Sequence, residues 1–478
     1  MRTEELLRPY KPWWEDVAQA FSRLPAFQRP IFGDIFRGLK GTPQIISITG
    51  PRRVGKSTII RQMIRNLIEE GVNPREIIYF SMDDPALYRA DPQHDRLFDF
   101  IMESARKKGG EAVTYVFLDE IQRFDRWELY LKKYYDLSYP VRFTISGSAS
   151  SPIFKKSRES LLGRIKDYHL LPFSLREYLL YSNLENPTVL AELDNLSETG
   201  ERVKGMMAKH PKYADLQSVS IPDIGSGLRN AIDTLLNRFM LEGGFPEVWT
   251  LPDWESKLSY LFANQVEKVI LEDLVLAVEL RKPELLKKFY ISLLEYPGRE
   301  INYQRLSQDL GINRATIEKY FPLLEMTDLI RHVEKFTKSA VKVRRGSFKC
   351  YLVDLALRNA VLRIRDGSIQ DPAVLGLYAE NLVFNALKKW KGTLSLSYYR
   401  EKDSEVDFIV HTGAGSYWPI EVKFQENIVP GDLRGIRSFS KKYKGSVGLV
   451  VTKKWEDFGK KSDEFFLIPL PLFLILFD

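Results

Sequence analysis

The sequence has 478 residues, and its content of 44% hydrophobic and 28% charged residues is typical of a soluble globular protein with about two to four domains. The single cysteine, Cys350, excludes a disulfide framework and a cysteine-based zinc site, and the five histidines include no H-E-x-x-H spacing. The formal net charge of +7 permits nucleic acid as a partner without requiring it.

Residues 1–40 have a helical pattern rich in aromatic side chains, which predicts a helical cap on the segment that follows. The start of the chain has no apolar signal core. The apolar tail over 465–477 is too short for a bilayer and is interrupted by Pro469 and Pro471. We therefore expect a cytoplasmic protein with no membrane contact, and a single cysteine suits that reducing compartment.

An octapeptide that follows the apolar run 45–48 fits the pattern G-x-x-x-x-G-K-[ST]. Its two glycines let backbone N–H groups close around phosphates, and the lysine adds a positive charge. The final serine offers a hydroxyl to Mg²⁺, and the following helix offers its positive end. We expect these residues, with the threonine after them, to bind a nucleotide: Gly50, Pro51, Arg52, Arg53, Val54, Gly55, Lys56, Ser57 and Thr58.

A second apolar run, 115–118, ends in Asp119 and Glu120. A buried parallel strand delivers acids in this way to the carboxyl edge of a sheet. We expect Asp119 to hold Mg²⁺ through its water shell and Glu120 to polarise the attacking water, so the pair predicts hydrolysis in addition to binding. Ser146, at the end of a further strand, either contacts the γ-phosphate or belongs to a plain glycine turn.

Residues 41–180 alternate apolar strands with amphipathic helices, which predicts a parallel α/β sheet with strands at 44–48, 76–81, 114–119 and 141–146. Residues 181–282 follow as a helical region with a polar insertion. The sequence does not indicate the role of that insertion.

Residues 283–355 have the pattern of a winged helix: two short helices around the turn Gly311–Ile312, then a hairpin. Such a unit contacts DNA through its second helix and its wing, or serves as a protein-contact module. The hairpin loop carries six basic residues and no acid: Lys335, Lys338, Lys342, Arg344, Arg345 and Lys349.

Residues 356–478 contain four residues in the order of the PD-(D/E)xK phosphodiesterases, namely Glu380, Asp407, Glu421 and Lys423. Carboxylates from two strands beside a lysine make a site for one or two Mg²⁺ ions and an activated water. The pattern is short, and Glu-Val-Lys at a strand end is also typical of a solvated edge.

Together these motifs resemble a prokaryotic, especially archaeal, family of AAA+/STAND-like P-loop ATPases. In that family the ATPase is joined to a winged helix and a restriction-endonuclease-like C-terminal domain. The resemblance covers about residues 40–425 apart from the insertion, and includes Leu162-Gly163-Arg164 and Gly243-Gly244-Phe245-Pro246-Glu247. It implies ATP and Mg²⁺ as cofactors, and a role for Arg164 as a sensor or arginine finger at the γ-phosphate.

Two functional hypotheses remain open from the sequence. In the first, the ATPase controls a Mg²⁺-dependent nuclease that acts on DNA. In the second, a regulatory ATPase changes how inactive C-terminal domains meet DNA, a protein partner or a second copy of the chain. A motor function has little support, because no helicase motif set is present.

Overall fold

The structure is a computed structural model that describes residues 8–85, 95–106, 113–124, 126–148, 160–209, 224–278, 280–295, 297–337, 347–365, 371–390, 393, 395–402, 404–413, 416–443, 446–458, 460–462 and 465–478. The chain forms two compact units. The first comprises Met1–Leu171, Leu271–Arg281 and Met326–Asp328. The second comprises Pro172–Ile270, Lys282–Glu325 and Leu329–Asp478.

The first unit is built on a five-stranded parallel sheet in the order β2-β3-β4-β1-β5. This arrangement confirms the predicted parallel α/β sheet. The fifth strand was not predicted, because it is short, polar and partly exposed at the sheet edge and so lacks the apolar run of a central strand. The strands are β1 (Ile45–Gly50), β2 (Ile77–Ser81), β3 (Thr114–Asp119), β4 (Val141–Ser148) and β5 (Ile165–His169).

Helices cover this sheet, and their apolar faces meet the buried strands. Ile78, Phe80, Leu118 and Ile145 are almost fully buried in the resulting core. The helices of the unit are α1 (Val17–Ala20), α2 (Ile31–Gly41), α3 (Lys56–Glu69), α4 (Asp95–Arg106), α5 (Trp127–Asp136) and α10 (Leu274–Val278).

The N-terminal segment packs on the same core through aromatic side chains. The ring centroids of Tyr10 and Phe80 are 4.8 Å apart, and the Trp14 indole donates to the carbonyl oxygen of Ile77 at 3.3 Å. The segment consists of short helical turns at Arg8–Tyr10 and Pro12–Trp14, followed by α1 and α2.

The second unit contains a nine-stranded sheet in the order β13-β14-β12-β11-β10-β9-β7-β8-β6. Its pairs β11–β12, β12–β14 and β7–β9 are parallel, and the others are antiparallel. The strands are β6 (Glu300–Asn302), β7 (Ile330–Lys335), β8 (Ser347–Leu352), β9 (Ser395–Glu401), β10 (Ser404–Gly413), β11 (Ser416–Lys423), β12 (Gly448–Thr452), β13 (Lys461–Ser462) and β14 (Phe465–Pro469).

Helices pack around this sheet, and a π-helix over Phe262–Asp273 runs from the second unit into the first. The α-helices of the second unit are α6 (Leu175–Ser182), α7 (Pro187–Met207), α8 (Ser226–Glu242), α9 (Trp254–Leu261), α11 (Pro283–Leu294), α12 (Tyr303–Leu310), α13 (Arg314–Met326), α14 (Leu355–Leu362), α15 (Pro372–Lys389), α16 (Arg434–Lys442) and α17 (Leu470–Leu476).

A helix-turn-helix lies between β6 and β7. Gly311 ends α12 in the left-handed conformation with a φ of 65°, and Ile317 and Leu324 bury one face of α13. The strands β6, β8 and β7 form a three-stranded piece beside it. The assignment of residues 283–355 to a winged helix stays a prediction.

The apolar tail forms β14 and α17, and Phe473 at its centre is fully buried. In the part of the chain that the structure describes, no helix is both long and apolar enough to cross a membrane.

Candidate nucleotide site

The loop between β1 and α3 depends on glycine at two positions. Gly50 ends β1 with a φ of 145°, and a Cβ there would collide with the carbonyl oxygen of Leu170. Gly55 caps α3 with a φ of 98°, and a Cβ there would meet no atom within 4 Å. The loop thus leaves open space before the first turn of α3, where unpaired backbone N–H groups favour an anion.

Lys56 places a positive charge inside this loop. Its buried ammonium donates to the carbonyl oxygens of Gly50 at 3.0 Å and Pro51 at 2.7 Å. Burial lowers the pKa of Lys56, and the carboxylates of Glu120 and Asp119 oppose that shift. A phosphate in the loop would offer this ammonium stronger acceptors than two neutral carbonyl groups.

Asp119 is a buried carboxylate that accepts hydrogen bonds from three hydroxyl groups. Ser57 donates to Oδ2 at 2.6 Å, Tyr79 donates to the same oxygen at 3.1 Å, and Ser146 donates to Oδ1. The donors come from α3, β2 and β4, so neighbouring parallel strands bring them to one edge. A serine hydroxyl beside a carboxylate is an oxygen ligand set that suits Mg²⁺, and this part of the site fits that ion.

Glu120 follows at the same edge in a left-handed conformation with a φ of 53°, which is uncommon for a residue other than glycine. The Gln122 amide donates to its Oε2 at 2.5 Å. Burial raises the pKa of Glu120, Lys56 opposes the shift, and Asp119 adds to it. A carboxylate with a raised pKa, held in one orientation, is suited to accept a proton from water.

Arg52 of the phosphate loop is held by a carboxylate that the sequence analysis missed. Its Nε donates to Asp273 Oδ2 at 2.7 Å, and its Nη2 donates to Oδ1, so the ion pair is bidentate. The hydrogen bond to Asp273 raises the pKa of Arg52. Asp273 ends the π-helix 221 residues after Arg52, and no local pattern marks it.

A second contact missed from the sequence joins the ends of β1 and β5. The Thr49 hydroxyl lies 3.0 Å from Nδ1 of His169, and Nε2 of His169 lies 3.0 Å from Oδ1 of Asp328. Asp328 is buried with a φ of 58°, two residues after the end of α13. Its negative charge also reaches Lys56. The first unit therefore holds Asp328 beside the phosphate loop.

Arg164 lies at the edge of the sheet away from the phosphate loop. Its carbonyl oxygen accepts from the Ile45 N–H at the start of β1, while the phosphate loop begins after Gly50 at the end of that strand. Those five residue steps span about 17 Å. The guanidinium instead forms an ion pair with Asp136 at 2.6 Å. Within its own chain Arg164 thus lies away from the phosphate loop, and its role as a sensor or arginine finger stays a prediction.

The second unit brings together the four residues predicted for a nuclease site. Asp407 Oδ2 accepts from the Val422 N–H at 2.9 Å, and the Lys423 ammonium lies 2.6 Å from Glu421 Oε1. Burial, together with the charge of Asp407, raises the pKa of Glu380 to about 7 and that of Glu421 to about 8. Within the described ranges, however, no group of three or more His, Cys, Asp or Glu is arranged to hold a metal ion.

Lys349 lies within this group of carboxylates, and its position corrects its assignment to the basic wing. Its side chain is 4% exposed, and its ammonium lies among the carboxylates of Glu380, Glu405 and Asp407. Burial lowers the pKa of Lys349, but the carboxylates outweigh it and raise the pKa overall. Lys349 is therefore unavailable to DNA. Among the other five, Lys335 ends β7, and Lys338, Lys342, Arg344 and Arg345 lie outside the described residues.

Comparison with known protein families gives three matches along the chain. Residues 42–179 match the family described as an AAA domain. Residues 233–368 and 375–473 match two domains of unknown function, DUF8612 and DUF4143.

Several proteins described as uncharacterized are similar to most of the chain. An uncharacterized protein of Haemophilus influenzae is 22% identical over 77% of this chain and 80% of its own length. Two uncharacterized proteins of Methanocaldococcus jannaschii are 23% and 25% identical, over 76% and 77% of this chain and 71% and 72% of their own.

Similar solved structures include a Signal Transduction ATPase with Numerous Domains from Pyrococcus horikoshii, with a TM-score of 0.27, 12% identity, and coverage of 77% of this chain and 46% of that one. PCH-2 of C. elegans has a TM-score of 0.27 and 13% identity, over 56% of this chain and 64% of its own. Scores this low carry no argument about the fold. The family match and the five-stranded parallel sheet both support a P-loop ATPase domain of the AAA type over residues 42–179.

Proposed function

We propose that this protein is a Mg²⁺-dependent ATPase whose nucleotide state controls its second unit. The observation that carries the proposal is the hydrogen bond of 2.6 Å between Ser57 and Asp119. It joins the phosphate loop to the acidic strand end, with Lys56 on one side and Glu120 on the other. Binding groups for phosphate, ligands for a divalent ion and a proton acceptor thus share one sheet edge.

Each residue has a separate task in the proposed hydrolysis. The loop N–H groups and Lys56 bind the phosphates, and Ser57 and Asp119 hold Mg²⁺ with its water shell. Glu120, oriented by Gln122, accepts the proton of the attacking water. Bound Mg²⁺ supplies positive charge that neutralises the phosphate oxygens.

Steady-state ATP hydrolysis tests this assignment. Lys56→Ala and Asp119→Asn should each lower the Mg²⁺-dependent rate by at least about a hundredfold, because both remove groups that stabilise charge in phosphoryl transfer. Lys133→Ala is the matched control, since Lys133 is an exposed lysine on α5. Wild-type hydrolysis by Lys56→Ala would refute the site.

The positions of two carboxylates near the phosphate loop support the proposed control of the second unit. Asp273 and Asp328 both belong to the first unit. Asp273 is the last residue of the π-helix, and Asp328 follows α13. A shift of the loop on nucleotide binding would act on Arg52 and its partner Asp273 directly. This favours a regulatory ATPase over one that only turns over ATP.

Hydrogen exchange measures that control. Amides of α13 and β7 should exchange at different rates with ADP and with a non-hydrolysable ATP analogue. Lys56→Ala should remove the difference, because it removes nucleotide binding. Equal exchange in both nucleotide states of the wild type would contradict the coupling.

DNA is the partner that we propose for the helix-turn-helix and its hairpin, taken together as a winged helix. Lys319 lies on the exposed face of α13, and Lys335 leads into the basic loop.

Fluorescence anisotropy with a labelled duplex at several salt concentrations tests whether this unit binds DNA. Lys319→Ala and Lys335→Ala should each weaken binding and reduce the salt slope by about one. Lys441→Ala, an exposed lysine on α16, is the control. Unchanged binding by both test variants would favour a protein partner.

A further inference from the structure

The carboxylate cluster of the second unit is organised around one lysine. Lys349 extends from β8, and its Nζ lies 2.9 Å from Glu405 Oε1, 3.2 Å from Glu380 Oε1 and 3.5 Å from Asp407 Oδ1. The three acids come from α15 and β10, so they converge on the ammonium from two elements. A divalent ion bridging these carboxylates would have to occupy the same position.

Other groups satisfy these oxygens further. The Tyr351 hydroxyl donates to Glu380 Oε1 at 2.7 Å, and the Val422 N–H donates to Asp407 Oδ2 at 2.9 Å. The guanidinium of Arg400 lies 3.5 Å from the second oxygen of Glu405. A hard cation needs oxygen ligands at about 2.0–2.6 Å, and these carboxylates are already engaged by nitrogen and hydroxyl donors.

We propose that Lys349 permanently replaces a divalent cation in this cluster, so that the second unit is a metal-free structural module and not a nuclease. The ammonium supplies the positive charge that lets the acids lie together. To admit a metal ion, the protein would have to expel a lysine side chain that is 4% exposed.

The same lysine ties the hairpin to the C-terminal elements. Two hydrogen bonds also join these elements. The Asn381 side chain of α15 accepts from the Leu352 N–H and donates to the Leu352 carbonyl oxygen, both at 2.8 Å. Strand β8 is therefore fixed to α15 by an ion cluster at Lys349 and by two hydrogen bonds at Leu352.

Metal binding by the nucleotide-free protein tests the proposal. Tb³⁺ is the probe and Mn²⁺ the competitor, because Tyr351 is within reach to sensitise Tb³⁺ luminescence at the cluster. Wild type and Asp407→Asn should give the same signal, since neither holds metal there. Lys349→Ala should bind Mn²⁺ at least about tenfold more tightly than wild type, because it frees carboxylates of the kind that bind divalent ions.

Control variants show whether the metal binds at this cluster and whether a change in binding reflects a change in folding. Adding Asp407→Asn to Lys349→Ala should abolish the gained binding, and Lys335→Ala should gain none. Lys349→Arg keeps a cation and should behave as wild type. Wild-type Mn²⁺ binding that Asp407→Asn removes would overturn the proposal, and this measurement needs no folded Lys349 variant. The readout does not involve ATP, so it is independent of the proposed ATPase function.

Discussion

The ion pair between Arg52 and Asp273 gives the sharpest test of how the phosphate loop is held. We consider Asp273→Asn, which keeps the size of the side chain but removes its charge and one hydrogen-bond acceptor. The Arg52 and Asp273 side chains are 26% and 12% exposed, so the pair is neither a surface pair nor fully buried. Surface pairs contribute about 0–1 kcal/mol, whereas breaking a buried pair costs about 3–5 kcal/mol.

A bidentate geometry at intermediate burial indicates a coupling of about 1–2 kcal/mol, which corresponds to about a 5- to 30-fold change in an equilibrium constant. Asp273→Asn should therefore weaken ADP binding by this factor, because the loop loses the anchor that fixes its backbone. ADP is used since it binds without turnover.

A double-mutant cycle in ADP affinity, measured by calorimetry, isolates the interaction. In the Arg52→Ala background, Asp273→Asn should change the affinity by less than about twofold. Glu272→Gln is the matched control, because Glu272 is the exposed neighbour of Asp273 and adds only a longer-range charge to Arg52. If the effects of Arg52→Ala and Asp273→Asn on ADP affinity are additive, the Arg52–Asp273 ion pair does not hold the loop.

Three further outcomes are expected. Glu120→Gln should lower kcat by about 10²–10⁴-fold and leave the affinity for ADP unchanged. Burial raises the pKa of Glu120, so the wild-type kcat should fall on the acidic side at a pH above the ordinary glutamate pKa. This acidic limb of the kcat–pH profile should vanish in the variant. Gly50→Ala should cost at least about 2 kcal/mol, seen as a lower Tm, whereas Gly41→Ala, with nothing near its Cβ, should not lower it. Asp354 caps α14 and accepts from the Gly244 N–H at 2.7 Å, so Asp354→Ala should cost about 1–3 kcal/mol in thermal unfolding; an unchanged Tm would contradict the buried cap.

Local sequence predicted the strands of the ATPase sheet and the order of its motifs. The reason is that a phosphate loop and an acid-terminated strand are built from consecutive residues, whose types are dictated by backbone conformation and phosphate chemistry. The fifth strand was missed because an edge strand needs no continuous apolar run.

Arg164 shows what a motif alone leaves open. The family resemblance implies a sensor or arginine finger there, but strand direction decides which edge of the sheet a residue reaches. β5 runs parallel to β1 and begins after Arg164, so that arginine is at the edge away from the phosphate loop. Residue type and order cannot supply this information without the register of the sheet.

The sequence by itself determined the phosphate-loop pattern and the later strand that ends in acids. Only the tertiary structure decided what surrounds them: Asp273 on Arg52, Asp328 beside His169, and Lys349 among the acids predicted for a metal. These partners are separated by tens to hundreds of residues, and their ion pairs form because packing removes the charges from water together. A lysine that appears in the sequence as part of a basic wing is thereby the counter-ion of a buried cluster.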